Sequence, residues 1–123
     1  MFSHVMLGVN DLEKSKKFYD AVLGTLGIGP GFANGNRYFY RSPTGNFAIT
    51  KPINGKPATN GNGSTIGFAV KSVEQGNAFH AAGVANGGTT IEDPPGIREA
   101  SKMYLAYLRD PDGNKICALH RPG

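Results

Sequence analysis

Two tandem strand–helix–hairpin units in one small, turn-rich domain of mixed α and β structure are what the sequence predicts. Three observations predict it. The chain has 123 residues, 39% of them hydrophobic, which is close to the commonest size of one domain and enough to bury one core. Its 18 glycines and short apolar runs, with few long helical stretches, suit an α+β or α/β protein. The same order of elements also occurs twice.

The first unit, about residues 2–52, opens with the β-prone run FSHVMLGV. Alternation sets Val5, Leu7 and Val9 on one face and His4, Met6 and Gly8 on the other. Asn10 or Asp11 then suits a helix N-cap, with Glu13 placed to favour the helix dipole. From Leu12 on, apolar residues at 12, 18, 19, 22, 23 and 26 make one helical stripe, with Lys14, Lys16 and Lys17 on the wet side. Gly24, Gly27 and the Gly29-Pro30-Gly31 stretch end it. A strand NRYFYRS, a turn Pro43-Thr44-Gly45-Asn46 and a strand FAITKP complete the hairpin. The stretch of about 53–63 is rich in Pro, Gly and Asn and reads as a linker or mobile loop.

The second unit, about 64–121, repeats the plan: strand STIGFAV, helix SVEQGNAFHAAGVANGG, strand YLAYLRD, turn PDGN and strand KICALH. Sixty-one positions on, His4 falls on Thr65, Val9 on Val70, Glu13 on Glu74 and Phe18 on Phe79. The hairpins match at an offset of 68, so that NRYFYRSPTGN lies on YLAYLRDPDGN and Ile49 on Cys117. Capping and periodicity recur in any βα unit; matched turn sequences do not, so the two units are read as a repeat. Two equal units bury their apolar faces through helices and each other, giving a curved mixed sheet with helices outside and a groove inside.

Several function classes fall away. A single cysteine, Cys117, forms no internal disulfide and fits a reducing compartment. The opening residues lack the n-region, h-region and cleavage site of a signal peptide, and no apolar run is long enough for a membrane span. A cytoplasmic protein is expected. The net charge of +4 is scattered, which argues against nucleic acid while mildly favouring anionic ligands. Gly27 to Gly31 follow a helix rather than a strand, so dinucleotide geometry fails. Asp110-Pro111-Asp112-Gly113-Asn114 lacks the later ligands of a calcium loop and reads as a tight hairpin turn. No Ser/His/Asp or Cys/His nucleophile order stands out.

A strand opening with His, a helix reading L-E-K-S-x-x-F-Y, a second strand T-I-G-F-A-V and a closing D-P-D-G-N-x-I resemble the vicinal oxygen chelate superfamily. That family includes glyoxalase I, bleomycin-resistance proteins and extradiol dioxygenases. The resemblance spans residues 3–120 and implies an α+β fold of two βαβββ modules around an inner cleft, a homodimer, and a small-molecule ligand. In metal-binding members, it further implies a His near the start of each module and a carboxylate on each module's last strand. Here those positions are His4, Thr65, Ile49 and Cys117, where the familiar pattern has Glu in place of Cys117.

A hard divalent ion wants oxygen and imidazole donors, while zinc or Fe²⁺ normally takes at least three protein ligands. One His and one thiol do not satisfy either, so a divalent metal is disfavoured and any metal would rest on His4 without its standard partners. Glu92, Asp93, Glu99 and His120 do not follow ligand spacing, and alternation turns His120 away from Cys117.

His4 reads as a remnant ligand or proton acceptor facing the groove, or as a plain groove-lining polar residue. His80 reads as a surface helix residue, and Cys117 as a small buried one. Arg98, in the proline-stiffened loop 92–99 that borders the cleft in this family, suits an anion clamp or an ion pair with Glu99. Tyr104 and Tyr107, with Tyr38, Phe39 and Tyr40 from the matched strand, supply aromatic surface divided between groove and helix side. Binding of a small organic molecule is expected, with a lyase- or dioxygenase-type step in a non-standard site, or with no turnover, as in drug- or toxin-sequestering proteins of the bleomycin-resistance kind. Thr65, Ile49, Arg98, Tyr104, Tyr107 and Cys117 are the expected binding residues.

Overall fold

A computed structural model describes residues 1–122. The first half runs β1 (His4–Gly8), α1 (Leu12–Gly24), β2 (Phe32–Asn34), β3 (Arg37–Ser42) and β4 (Gly45–Thr50). The second runs β5 (Ile66–Ala69), α2 (Val73–Ala85), two short strands β6 (Thr89–Thr90) and β7 (Gly96–Ile97), then β8 (Tyr104–Arg109) and β9 (Lys115–His120). The fold is α+β. Its strands form two mixed sheets, ordered β1-β4-β3-β2 and β5-β9-β8-β6, with β7 also paired to β8. In each, the opening strand lies parallel to the closing one, as a strand–helix crossover demands. The short β2, set by a turn through Gly35 at φ 61°, extends the first sheet beyond the hairpin that the sequence outlines.

Both helices start on side-chain caps. Asp11 is extended and accepts from the Lys14 N–H at 3.1 Å. Ser72 accepts from the Gln75 N–H at 3.1 Å, while Gln75 Oε1 accepts from the Lys71 N–H. Each helix covers one face of its sheet. That face carries Val5, Leu7, Tyr38, Tyr40, Phe47 and Ile49 in the first sheet, and Ile66, Phe68, Tyr104, Ala106, Leu108, Ile116 and Ala118 in the second. Beneath α1, Phe18, Tyr19, Val22 and Leu23 are wholly buried, and Phe47 and Phe68 join the halves edge to face at 5.3 Å.

Two glycines set the height of α2. A Cβ on Gly76 would lie 2.1 Å from the Tyr104 ring, and one on Gly83 would lie 2.2 Å from Leu108 and 3.3 Å from Phe18. Glycine in a helix interior costs about 0.5–1 kcal/mol relative to alanine. Here it lets α2 sit directly on β8 and against α1.

The Asp110-Pro111-Asp112-Gly113-Asn114 segment is a turn, as expected, but also the clamp between halves. Asp110 accepts from the backbone of Asp112 and Asn114 and from the Tyr19 hydroxyl of α1. Asp112 accepts from the Asn10 N–H and the Ser15 hydroxyl, and Asn114 donates to the Gly8 carbonyl. The connecting segment is tied to the same place. Asn10 exchanges two hydrogen bonds with the Ala58 backbone, and Asn60 donates to the Gly113 carbonyl.

Candidate functional site

The faces turned away from the helices mix polar side chains with apolar ones. Strand register gives the rows. Across the first sheet, His4 pairs with Asn46 and Asn46 with Arg41. The next row is Met6, Ala48, Phe39 and Phe32, and the next Gly8, Thr50 and Arg37. Across the second sheet, Gly67 pairs with Cys117 and Cys117 with Tyr107, and Ala69 with Leu119 and Leu119 with Leu105. Asn46, Arg41 and Phe32 belong to this surface and escaped sequence reasoning. The signal for Asn46 was its alternation with buried Phe47 and the parallel register with His4.

The register also corrects one expectation. Between the matched Arg41 and Arg109 and the strands that return beside them, the second turn holds one residue more: Arg41 pairs with Asn46, Arg109 with Lys115. Beyond the turn the repeat therefore runs at an offset of 69, and Cys117 corresponds to Ala48. Ile49 corresponds to Ala118. It is fully buried, faces α1 between Leu7 and Tyr38, and does not belong to the open face. The matched asparagines misled: Asn114 is a buried turn residue bonded to Asp110, whereas Asn46 is a strand residue of the open face.

Tyr104 is the second correction. It is wholly buried under α2, with its hydroxyl donated to Asn77 Oδ1 at 2.8 Å. Alternation leaves Tyr107, not Tyr104, on the open face, where the Lys115 ammonium lies 4.8 Å from its ring centroid. Lys115 is also ion-paired with Glu92. Tyr38 and Tyr40 face the helix and donate to Glu13 and Asp20 of α1, so only Phe39 of that aromatic trio is on the open side.

His4 is exposed, with Nδ1 2.8 Å from the Ser3 hydroxyl. Thr65 is exposed one residue before β5. Cys117 is 5% exposed, and burial pushes its thiol above the ordinary range, with the Lys115 charge acting the other way. Gly67 lies alongside, where an added Cβ would come to 3.4 Å from Sγ. Arg98 spends its guanidinium on its own loop, donating to the carbonyls of Pro94 at 2.7 Å and Asp93 at 3.1 Å. Glu99 pairs instead with Lys102. His80 is half-buried with Nε2 2.9 Å from the Thr90 hydroxyl, and burial lowers its pKa. His120 Nδ1 lies 3.2 Å from the Val70 carbonyl, on the side away from Cys117.

A divalent metal of the kind the resemblance implies does not fit these residues. The four equivalent positions are His4, Ala48, Thr65 and Cys117, of which Ala48 offers no donor atom and the last only a buried thiol, so the set falls short of the three protein ligands such an ion needs. Among the described residues, no three His, Cys, Asp or Glu side chains come together to hold a metal ion. One cavity draws on both halves. It measures about 300 Å³, lies between β4 and β5, and is lined by Val5, Tyr40, Phe47, Ile66 and Phe68 with Asn46 at its polar side. Among the described residues, no helix is long and apolar enough to cross a membrane.

Comparison with known proteins agrees with this architecture. Residues 1–118 match the family model described as the Glyoxalase/Bleomycin resistance protein/Dioxygenase superfamily. A glyoxalase/bleomycin resistance protein from Albidiferax ferrireducens T118 is 79% identical, with a TM-score of 0.96 over 99% of each chain. More distant solved structures share the fold. Fosfomycin resistance protein FosX from Mesorhizobium loti is 18% identical, with TM-score 0.72 over 99% of this chain and 92% of its own. Lactoylglutathione lyase from Agrobacterium tumefaciens is 17% identical, with TM-score 0.68 over 98% of this chain and 92% of its own. No curated protein matches the sequence. With its fold, its repeat and the family model in agreement, the chain belongs to the glyoxalase/bleomycin resistance protein/dioxygenase superfamily.

Proposed function

We propose that this protein binds a small organic molecule on the open faces of its sheets, without the divalent metal used by metalloenzymes of the superfamily. One observation carries this reading. Each sheet has one face under a helix and one that is not, and the uncovered faces bear the polar and aromatic rows His4–Asn46–Arg41 and Gly67–Cys117–Tyr107. A strand face that only needed solvation would not carry Phe32 and Phe39 stacked at 5.9 Å, or a glycine and an alanine, both exposed, at Gly67 and Ala69.

A second copy of the chain closes the site in this reading. The edge strands β1 and β5 each leave one hydrogen-bonding side free within the sheet order, and such edges favour pairing with another chain. Sequestration of the ligand is the form of function that these residues support best. A metal-free proton transfer is the second reading, and it rests on His4, whose Nε2 has no partner among the described residues while Nδ1 is engaged by Ser3.

The test is a thermal-shift screen of small organic molecules, run with and without chelator, together with metal analysis of the purified protein. Ligand stabilisation that survives chelation, with far less than one divalent ion per chain, is the expected result. Stoichiometric metal whose removal abolishes binding would overturn it. Turnover of a bound ligand that disappears in His4→Ala would favour the second reading over sequestration.

A further inference from the structure

We infer that the open face of the first sheet is built for a planar aromatic anion, held by Arg41 and stacked beside the Phe32–Phe39 pair. This rests on the reading of the open faces as the ligand surface and names the class of ligand.

Three observations converge. Phe32 and Phe39 are register partners on β2 and β3, and their rings stack with an interplanar angle of 26°. The Arg41 guanidinium lies 4.5 Å from the Phe32 ring centroid, on the diagonal neighbour position of the same face. Its N–H groups have no acceptor among the described residues, whereas Arg37, Arg98 and Arg109 each donate to one. The planar fork of a guanidinium with free donors takes a carboxylate by two parallel hydrogen bonds.

The surroundings select for charge. The strand positions of this face are His4, Met6 and Gly8, then Asn46, Ala48 and Thr50, then Arg37, Phe39 and Arg41, and no acid stands among them. The open face of the second sheet differs, because its Lys115 is already paired with Glu92. Asn46 is the register partner of Arg41 on the neighbouring strand, about 4.8 Å away, and offers a further hydrogen bond to the same anion. Phe32 is 39% exposed and leaves apolar surface for the ligand's own ring.

The probes are 1-naphthoate, the neutral 1-naphthalenemethanol and the non-aromatic cyclohexanecarboxylate, titrated into ¹⁵N-labelled protein. The expected result is that naphthoate binds at least ten times more tightly than either control and shifts the amides of Phe32, Phe39, Arg41 and Asn46. Arg41→Gln should weaken naphthoate about tenfold while leaving the alcohol unchanged, and Phe32→Leu should weaken both aromatic probes. Arg41 is exposed, so the variant should keep its thermal midpoint. Naphthoate shifts confined to the second sheet, or equal binding of the alcohol, or an Arg41→Gln effect under twofold, would each overturn this assignment while leaving the broader reading intact. No shift on either face with any probe would count against both.

Discussion

Tyr19 of α1 donates its hydroxyl to Asp110 of the second hairpin turn at 2.7 Å, ninety-one residues away and wholly out of contact with water. This bond fastens the first half to the second. Burial, with the nearby Asp110 charge, pushes the Tyr19 phenol well above its ordinary range, so it acts as a permanent donor. Tyr19→Phe should destabilise the fold by about 1–2 kcal/mol, the loss of a buried bond to a carboxylate. Asp110→Ala should cost more, about 3 kcal/mol, because it strands the Tyr19 hydroxyl, the Asn114 amide and two backbone N–H groups together. Chemical denaturation of the two variants checks the order, and a Tyr19→Phe loss equal to or larger than that of Asp110→Ala would show the clamp to be something else.

Two aspartates should respond to pH with opposite sign. Burial holds the Asp110 carboxyl above its usual range, outweighing the hydrogen bonds it accepts from Asn114, Tyr19 and the backbone. Its favourable contribution is therefore full below the ordinary carboxylate pKa and is lost as pH rises through the raised folded value. Asp20 is the reverse. Burial opposes ionisation there too, but the Gly31 N–H, the Lys16 ammonium at 2.6 Å and the Tyr40 hydroxyl together hold it below the usual range. Its contribution is present above the ordinary carboxylate pKa and lost as pH falls through the lowered folded value. Melting temperatures from pH 3 to 7 should show Asp20→Asn losing its deficit in acid. Its deficit at neutral pH should be about 1–2 kcal/mol, or roughly 4–8 °C. A deficit that stays constant across this range would refute the assignment for Asp20.

The repeat and the longer elements were legible in the sequence because they rest on local signals: alternation in β1, the stripe from Leu12 to Leu23, the caps, and matched turns. What the sequence hid depends on register. One extra residue in the Asp110–Asn114 turn slides β9 by one position, and a slip of one flips every side chain to the other face. That alone carried Ile49 from the expected cleft into the core. Tyr104 was ambiguous for a related reason, since a strand with tyrosines at 104 and 107 must put one on each side, and nothing local says which. Ser15 lies outside the apolar stripe of α1, yet it is fully buried against Asp112. The two acids of that turn, absent from the first copy's Ser42-Pro43-Thr44-Gly45, were the visible hint that the second turn does more than reverse the chain.

Cys117 should prove a slow thiol. It is 5% exposed and its pKa is raised by burial, so little thiolate forms at neutral pH. Reaction with a disulfide reagent such as DTNB should be on the order of 100-fold slower than that of a free cysteine, and should reach the free rate in denaturant. Gly67→Ala should slow it little further, since an added Cβ meets Sγ only at ordinary contact distance, 3.4 Å. Rapid labelling of the native protein would instead show that its thiol is reached readily from the open face.

Glycines of the helices should divide sharply when replaced by alanine. Gly24 ends α1 with nothing within 4 Å of an added methyl group and no positive φ, so Gly24→Ala should stabilise by up to about 1 kcal/mol through helix propensity alone. Gly76→Ala gains the same propensity and loses far more. Its methyl group would enter the Tyr104 ring, which cannot swing aside while its hydroxyl is held by Asn77, so α2 must lift off β8. A net loss of about 1–3 kcal/mol is the expected result of such overpacking. Gly83→Ala should be the milder of the two α2 variants, because the atom it meets most closely is the end of the Leu108 side chain, which can change rotamer, while Phe18 and Val22 stay at 3.3 and 3.4 Å. Equilibrium unfolding of the three variants checks the ranking Gly24→Ala, Gly83→Ala, Gly76→Ala from most to least stable. If Gly76→Ala matched Gly24→Ala, α2 would have room above β8, and close approach would not be the reason that its interior carries glycine.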